Sequence, residues 1–422
     1  MNASTVMNND LLQHVERHLV GHLLGPEALA QYDRGPVGKA FLRPTASALV
    51  RLSDDFTRER QNLAEAAPGD YWHDTRRLAY LFHFLPRNYV KVARVLAELG
   101  GHPDVAKELT AKSRFTVLDV GCGPGTSALA TLSFLAALQP AAFQVRIVLV
   151  EMSPAALQKA TDLLRQAADW LNAERREAMT LHVTPHTGDA KSTGRYPPHA
   201  AADFIWLSNV LNECAPEDVP PAAWVRELVR DHLAPDGSLC VIEPALHASA
   251  RAAMQLRDAL LEDLSECGIF APCTANGPCR MLAGQPERDW CHVALTWQPT
   301  PLVAQLDAMS GLSSRLQKFF YFVLRKDGKH ATEARSGWTP WRVIGDLQRE
   351  KGREKRLVCG PDRCTLLTRF KRDRHAGNEA FSTARRGDVL WLSSAPAPLA
   401  DGLRLLPHIQ VERQTVAPPT TE

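Results

Sequence analysis

Two groups of residues in this chain have the types and spacing to do chemistry. The first is Asp119-Val-Gly121-Cys-Gly123-Pro-Gly125-Thr126, an acid followed by three glycines at alternate positions. A glycine gives up roughly 0.5–1 kcal/mol relative to alanine in a regular element, so three within five residues mark a backbone that a ligand approaches closely. The second is a turn-rich loop carrying Cys273, Cys279 and Cys291, three thiols within nineteen residues. Thiolates gathered in this way satisfy a soft metal, and four complete either a zinc site or an iron–sulfur cluster. No Cys-x-x-Cys occurs in the loop, and spacing leaves the fourth ligand open among Cys359, Cys364, Cys267 and His292. Ordinary buried thiols are the alternative.

The glycines lie between a β-branched strand, Phe115 to Val120, and an apolar helical run, Ser127 to Leu138. Strand, turn and helix form the first βα unit of a doubly wound sheet, whose crevice admits a nucleoside ligand. The dinucleotide spacing G-x-G-x-x-G fails from Gly121, because Thr126 stands in the third glycine's place; a relaxed form from Gly123 ends at Ala128. Asp119 decides between cofactors. S-adenosylmethionine has no pyrophosphate but carries an ammonium and a sulfonium, and a carboxylate at a strand end suits positive charge. A nicotinamide site and an empty structural turn are the competing readings. Asp119-x-Gly121-x-Gly123-x-Gly125 thus resembles the first motif of class I methyltransferases.

Three further residues extend that site. Glu151 closes the second strand, Gln144 to Glu151, where an acid accepts hydrogen bonds from ribose hydroxyls. Asp189, beyond the third strand (Thr180 to Thr184), offers a carboxylate to the adenine amino group. The fourth strand, Asp203 to Leu207, runs into Ser208-Asn-Val-Leu-Asn-Glu213, which faces the sulfonium and the methyl acceptor. Asn209 belongs to the cofactor set, and Asn209, Asn212 and Glu213 are the catalytic candidates. No recognised catalytic signature stands there, since only Asn209 matches an Asn-Pro-Pro-Tyr loop. Pro272-Cys273 lies after the fifth strand, Ser238 to Ile242, the wrong region for a nucleophile. Cofactor binding is better supported than methyl transfer.

A chain of 422 residues, 45% hydrophobic, buries more than one core, so two or three domains are expected. Residues 1–110 read as a helical domain, with segments Leu11 to Leu24, Thr45 to Glu65, and Asp74 to Glu98, the last split at Pro86. Residues 111–265 alternate strand and helix as a parallel sheet requires. After a helix from Ala248 to Cys267, residues 266–315 form a cysteine-rich segment. Residues 316–422 read as a basic β-rich domain with strands Phe319 to Arg325, Arg356 to Cys359, Thr365 to Lys371 and Asp388 to Leu392, and a loose tail after Pro407.

Net charge is only +2, but the stretch 315–388 holds 19 Lys and Arg against nine Asp and Glu. Its basic runs, Lys351 to Arg356 and Arg369 to Arg374, suit nucleic-acid phosphates or a solvated surface. No run approaches the ~20 apolar residues of a membrane span. The first twenty residues, with Asp10 and Glu16, fit neither a signal peptide nor a transit peptide, so a cytoplasmic protein is expected. Nine cysteines, an odd number, argue for free thiols over a disulfide framework.

Several motifs in one order resemble the methyltransferase-like small-ribosomal-subunit assembly factors of bacteria and mitochondria. They are Leu118 to Thr126, Leu149-Val-Glu-Met-Ser-Pro154, Asn209 to Glu213, Ile242-Glu-Pro244, Ala271-Pro-Cys273 with Gly277-Pro-Cys279, Asp289-Trp-Cys-His292, and Phe320 to Arg325. The resemblance implies a class I methyltransferase (Rossmann-like) doubly wound sheet with an N-terminal helical domain and a small C-terminal β-rich domain. It implies a 4Fe-4S cluster held by Cys273, Cys279, Cys291 and Cys359, the last preceding Gly360, with Cys364 as rival. The cluster would pin the β domain to the sheet domain. The family opens its cysteine loop with Pro-Cys-Pro-His, whereas this chain has Pro272-Cys273-Thr274-Ala275; Ala245 replaces the glycine common after Glu-Pro. Neither departure removes a ligand. The implied partner is the small ribosomal subunit or its rRNA, met by a monomer without a membrane. The alternatives are an active S-adenosylmethionine-dependent rRNA methyltransferase and a zinc-containing small-molecule methyltransferase.

Overall fold

A computed structural model describes residues 9–57, 74–213, 221–332 and 335–415. The chain divides into two compact units. Unit 1 contains residues up to 242 together with 295–317, and unit 2 contains 243–294 and 318–418.

Unit 1 begins with helices α1 (Asn9–Leu24), α2 (Pro26–Tyr32), α3 (Lys39–Thr57) and α4 (Asp74–Ala79), a π-helical turn (Tyr80–Phe84), α5 (Leu85–Gly101) and α6 (Pro103–Ala111). The expected helix from Thr45 to Glu65 begins earlier, and its end lies outside the described residues. Pro86 stands inside a continuous helical run, directly after a wider π turn that accommodates its ring and missing N–H. The interruption before it is the π turn, which carries Tyr80 and His83. α5 packs close to the sheet's first helix because Gly100 lacks a Cβ, which would stand 2.8 Å from the Phe134 ring.

The sheet of unit 1 contains β1 (Arg114–Val120), β2 (Phe143–Glu151), β3 (Met179–Thr187), β4 (Ala202–Ser208) and β5 (Leu233–Pro244), in the order β3-β2-β1-β4-β5. All these neighbours pair in parallel. Crossovers α7 (Thr126–Leu138), α8 (Pro154–Ala173) and α9 (Pro221–His232) make the sheet doubly wound. Burial of α7 on nearly every side explains its uniformly apolar sequence. The order reverses between β1 and β4, so the crevice beyond their C-terminal ends is the topological switch point.

In unit 2, α10 (His247–Asp263) is followed by β6 (Gly268–Ala271). β7 (Val293–Thr296) and α11 (Pro301–Ser310) come next in sequence, and α11 belongs to unit 1. β8 (Leu316–Arg325) pairs antiparallel with β6. A second sheet contains β9 (Thr339–Val343), β10 (Gln348–Glu350), β11 (Arg353–Cys359), β12 (Cys364–Phe370), β13 (Val389–Leu392), β14 (Ala397–Leu399), β15 (Gly402–Arg404) and β16 (Val411–Gln414). Its order is β14-β15-β12-β11-β9-β13-β16, with β10 beside β11; α12 (Ala380–Thr383) precedes β13. Trp341, Val358, Leu367, Phe381 and Leu390 lie in its core.

Two expectations change here. The tail after Pro407 is ordered as far as it is described: Val411 to Gln414 extends the sheet by pairing with β13, and residues 416–422 lie outside the described residues. Cysteine loop and C-terminal strands also share one unit, so a centre built on Cys273, Cys279, Cys291 and Cys359 would tie unit 2 to itself. The basic runs are partly interior as well. Arg356 donates to the carbonyls of Phe381, Ser382 and Ala384, and buried Arg369 donates to the Asn378 carbonyl at 2.7 Å. Among the described residues no helix is long and apolar enough to cross a membrane.

Candidate functional site

The glycine turn after β1 is held in a conformation that L side chains resist. Gly121, Gly123 and Gly125 have φ of 63°, 51° and 79°. A Cβ on Gly121 would lie 2.5 Å from Val210 Cγ2, and one on Gly125 3.0 Å from Ala160 Cβ. The first and third glycines thus let the turn meet the β4 loop and α8, and the middle one faces the Tyr80 hydroxyl, 3.9 Å from where its Cβ would stand.

Two acids brace the turn from inside. Asp119 Oδ2 accepts from the Ala128 N–H at 2.9 Å, fixing the first turn of α7. Glu151 accepts from Gly123 N at 3.0 Å through Oε2 and from Ser153 N at 3.0 Å through Oε1. Each carboxylate oxygen accepts more than one bond, so these contacts orient Glu151 without exhausting it. Asp119 is 1% exposed, and burial, with the charge of Glu151 nearby, outweighs the Ala128 N–H and lifts its carboxyl to about 7. An approaching cation would reverse that balance and favour the ionised form.

Asp189 stands where β3 turns outward, with Oδ1 accepting from Lys191 N at 2.9 Å. Asn209, at φ 60°, is the one non-glycine residue with positive φ among those described. Its N–H donates to the Ile242 carbonyl at 2.8 Å, clamping the end of β4 to β5. Asn212 and Glu213 follow in a short 3-10 turn (Leu211–Glu213). The charges of Glu213 and Glu151 both reach Tyr80, whose hydroxyl is held neutral chiefly by burial. Sequence reasoning did not find Tyr80: it belongs to the helical region, and nothing in its spacing signals a π turn.

The second constellation lies wholly in unit 2. Cys273 follows β6, Cys279 and Cys291 lie in the loop beyond it, and Cys359 ends β11 opposite Cys364, its register partner in β12. Burial pushes the Cys291 thiol up, and the fields of Cys279, Cys273 and Cys359 all add to the effect. Cys279 rises to about 11 for the same reasons, with Cys273 as neighbour. Cys273 in turn feels Cys359. These four thiols therefore share one neighbourhood, and Cys364 joins it through a side-chain hydrogen bond to Cys359, which is the chief cause of the raised Cys359 thiol. Cys267 is set apart, its thiol governed by burial, Glu266 and Lys326. His292 is engaged by Arg386, and burial and the nearby Arg386 and Lys318 cations push its imidazole down to about 4.

The frame around the thiols is built for them. Both oxygens of Asp258 accept from Cys279 N, at 3.0 and 2.8 Å, and Arg257 beside it donates to the Gly277 carbonyl. Arg342 donates to the Pro272 carbonyl at 2.8 Å, and Thr274 to that of Cys359 at 3.4 Å. Gly360 is required because a Cβ there would stand 2.6 Å from the Trp341 indole. Among the described residues no group of three or more His, Cys, Asp or Glu side chains is drawn together tightly enough for a metal ion. A tetrahedral ion with 2.3 Å bonds holds its sulfurs only ~3.8 Å apart.

The family described as mitochondrial small ribosomal subunit Rsm22 matches residues 74–391, three quarters of the chain. This chain belongs to that family. No curated protein matches. Similar solved structures include MnmC2 from Aquifex aeolicus, at 14% identity, 54% of this chain, 59% of that one and a TM-score of 0.30. The plantazolicin methyltransferase BpumL, solved with a monoazolic desmethylPZN analogue and SAH, matches at 11% identity over 65% of this chain and 99% of its own, with a TM-score of 0.33. NSun6 from Pyrococcus horikoshii, solved with SFG, matches at 12% identity over 53% and 50%, with a TM-score of 0.28.

Proposed function

We propose that this Rsm22-family chain binds the small ribosomal subunit or its rRNA, holds S-adenosylmethionine in unit 1, and carries a 4Fe-4S cluster on Cys273, Cys279, Cys291 and Cys359. The observation that carries the reading is one family match running from 74 to 391, through the glycine turn and all four cysteines. Bound at the turn, S-adenosylmethionine would supply a methyl group on a sulfonium. Asp119 would meet its positive charge, Glu151 the ribose hydroxyls, and Asp189 the adenine edge. In unit 2 the cluster would take the protons' place on four thiols that burial keeps neutral, and would tie β6 and its loop to β11.

Anaerobic purification tests the cluster: about four irons and four sulfides per chain are expected, whereas a colourless protein with stoichiometric zinc defeats it. Sedimentation tests the partner, and a chain that never co-migrates with small-subunit precursors at moderate salt rules it out.

Active rRNA methylation is the second reading, and Asn209 favours it. A left-handed residue at the end of the strand facing the donor is the kind of backbone strain that gathers at active sites. Asn209, Asn212 and Glu213 would then orient the acceptor. Tritiated cofactor incubated with deproteinised rRNA and with immature subunits must label one of them for this reading to stand.

A further inference from the structure

A shallow cleft opens at the tip of the β10–β11 hairpin in unit 2, lined by Arg349, Arg353, Lys371 and Arg374 around Gly352 and Phe370. Its organising group is Glu354. Through Oε2 this carboxylate accepts from Arg369 at 2.6 Å, and through Oε1 it lies 3.5 Å from Arg349 and 3.9 Å from Arg374. One carboxylate therefore gathers three guanidinium groups. Arg353 is neutralised separately, by Glu350 at 2.6 Å. Arg374 has Glu379 as a second partner at 3.8 Å, and Glu379 also lies 3.7 Å from Arg369.

The cations remain in excess. Five basic side chains line the cleft against Glu350 and Glu354. The side chains of Arg349 and Arg374 are 71% and 48% exposed, although both lean on Glu354. Arg369, fully buried behind the cleft, bonds Asn378, Glu354 and Ser382 and lies over the Phe381 ring, so it anchors Glu354 from the inside. Backbone geometry keeps the entrance open: Gly352 has φ 82° with nothing within 4 Å of its Cβ position, and its carbonyl accepts from Lys371 N at 2.8 Å.

We infer that this cleft is a phosphate-binding subsite for an RNA strand, with Glu354 holding Arg349, Arg369 and Arg374 in place and Lys371 completing the ring. The inference rests on the rRNA-binding reading above and gives that reading an address. Guanidinium groups match phosphate oxygens in pairs, so pre-aligned arginines recognise a phosphodiester better than mobile lysines do. Phe370, already carrying Arg372 at 5.4 Å and Arg404 at 5.2 Å from its ring centre, keeps the neighbouring wall cationic.

Fluorescence anisotropy of the full chain with a labelled 20-nucleotide single-stranded RNA of mixed sequence, followed against salt, tests this. Substituting Arg349→Gln, Lys371→Gln and Arg374→Gln together should weaken binding at least tenfold at low salt. It should also reduce the slope of log K against log salt by about 2, since each lost phosphate contact on a single strand is worth ~0.7. The control, Lys107→Gln with Arg165→Gln on exposed helix faces of unit 1, should leave both unchanged. A triple variant with an unchanged melting profile and unaltered slope overturns the cleft while leaving RNA binding intact. A wild-type chain that binds no RNA overturns the rRNA reading itself. Loss of phosphatidylglycerol-vesicle binding in the triple variant, with RNA binding kept, assigns the cleft to a membrane and overturns the proposal.

Discussion

The glycine crevice of unit 1, with Asp119 and Glu151 buried, and the half-buried thiol neighbourhood of unit 2 differ in what holds them. Around the crevice, Asp119 and Glu151 are fastened to backbone N–H groups of the turn they support, so the cradle is closed by the chain alone. Around the thiols, the frame fastens to the backbone at or beside the cysteines, and the sulfurs lie within one another's fields. A carboxylate can be satisfied by a peptide, whereas the four thiols, neutral when empty, would give up their protons only to the proposed cluster. Unit 1 should therefore fold empty, and unit 2 should depend on what it carries.

The variant that breaks this contrast most severely is Cys359→Ser. Iron content is expected to fall to near zero, and unit 2 to lose at least ~4 kcal/mol, the linkage value for a ligand present at a thousand times its Kd. S-adenosylmethionine binding by unit 1 should survive. Limited proteolysis of the anaerobic protein beside calorimetry of cofactor binding reads both, and equal damage to the two units defeats the contrast.

Asp119→Asn has the next largest effect, in the opposite unit. Asn keeps an acceptor for Ala128 N but removes the charge, so affinity should fall by about 2–3 kcal/mol, roughly 50-fold. The wild-type affinity should itself be pH-dependent. With the empty-state carboxyl near 7, a cationic ligand must displace a proton below that pH, so binding weakens as pH falls through 7 and releases protons to the buffer. The stability effect runs the other way. Because the folded value lies above the unfolded one, the penalty of burying this charge is absent below about 4 and grows as pH rises to 7. At pH 8 the empty Asn variant should therefore melt higher than wild type.

Gly121→Ala is expected to cost about 1–3 kcal/mol of unit 1 stability, since it combines a left-handed φ with a 2.5 Å contact to Val210. Iron content should not change. Smallest of all, Cys364→Ser replaces the hydrogen-bond partner of Cys359 but none of the four proposed ligands, so iron should stay and stability should fall by no more than about 1 kcal/mol. A colourless Cys364→Ser protein would exchange the roles of the two.

The central strand, turn and helix were legible because each level agrees: a β-branched run, glycines where φ must be positive, and an apolar helix buried on nearly every side. β2, β4 and β5 were legible for the same reason. The π turn was not, because a helix with one extra residue leaves the apolar spacing almost unchanged and the kink is easily charged to Pro86. Short strands such as β6, β14, β15 and β16 escaped because three or four residues carry too little alternation. The basic runs misled in part: Arg356 and Arg369 look like surface charge in sequence, but carbonyls and Glu354 draw them inside. Tyr80, Asp258 and Arg257 could be found only in space, since each acts on a loop far along the chain or across the fold.

The division of the chain into units has a temporal side. Unit 1 cannot close until residues 295–317 exist, because buried Glu16 of α1 accepts from the Leu302 N–H at 3.1 Å and bonds Thr300. The loop bearing Cys273, Cys279 and Cys291 is synthesised before that seal, and Cys359 well after it. At 5–20 residues per second, the nascent chain displays three reactive sulfurs for roughly 3–14 s before the fourth emerges. If the proposed cluster is built, its assembly must either wait out that interval or shield the trio during it.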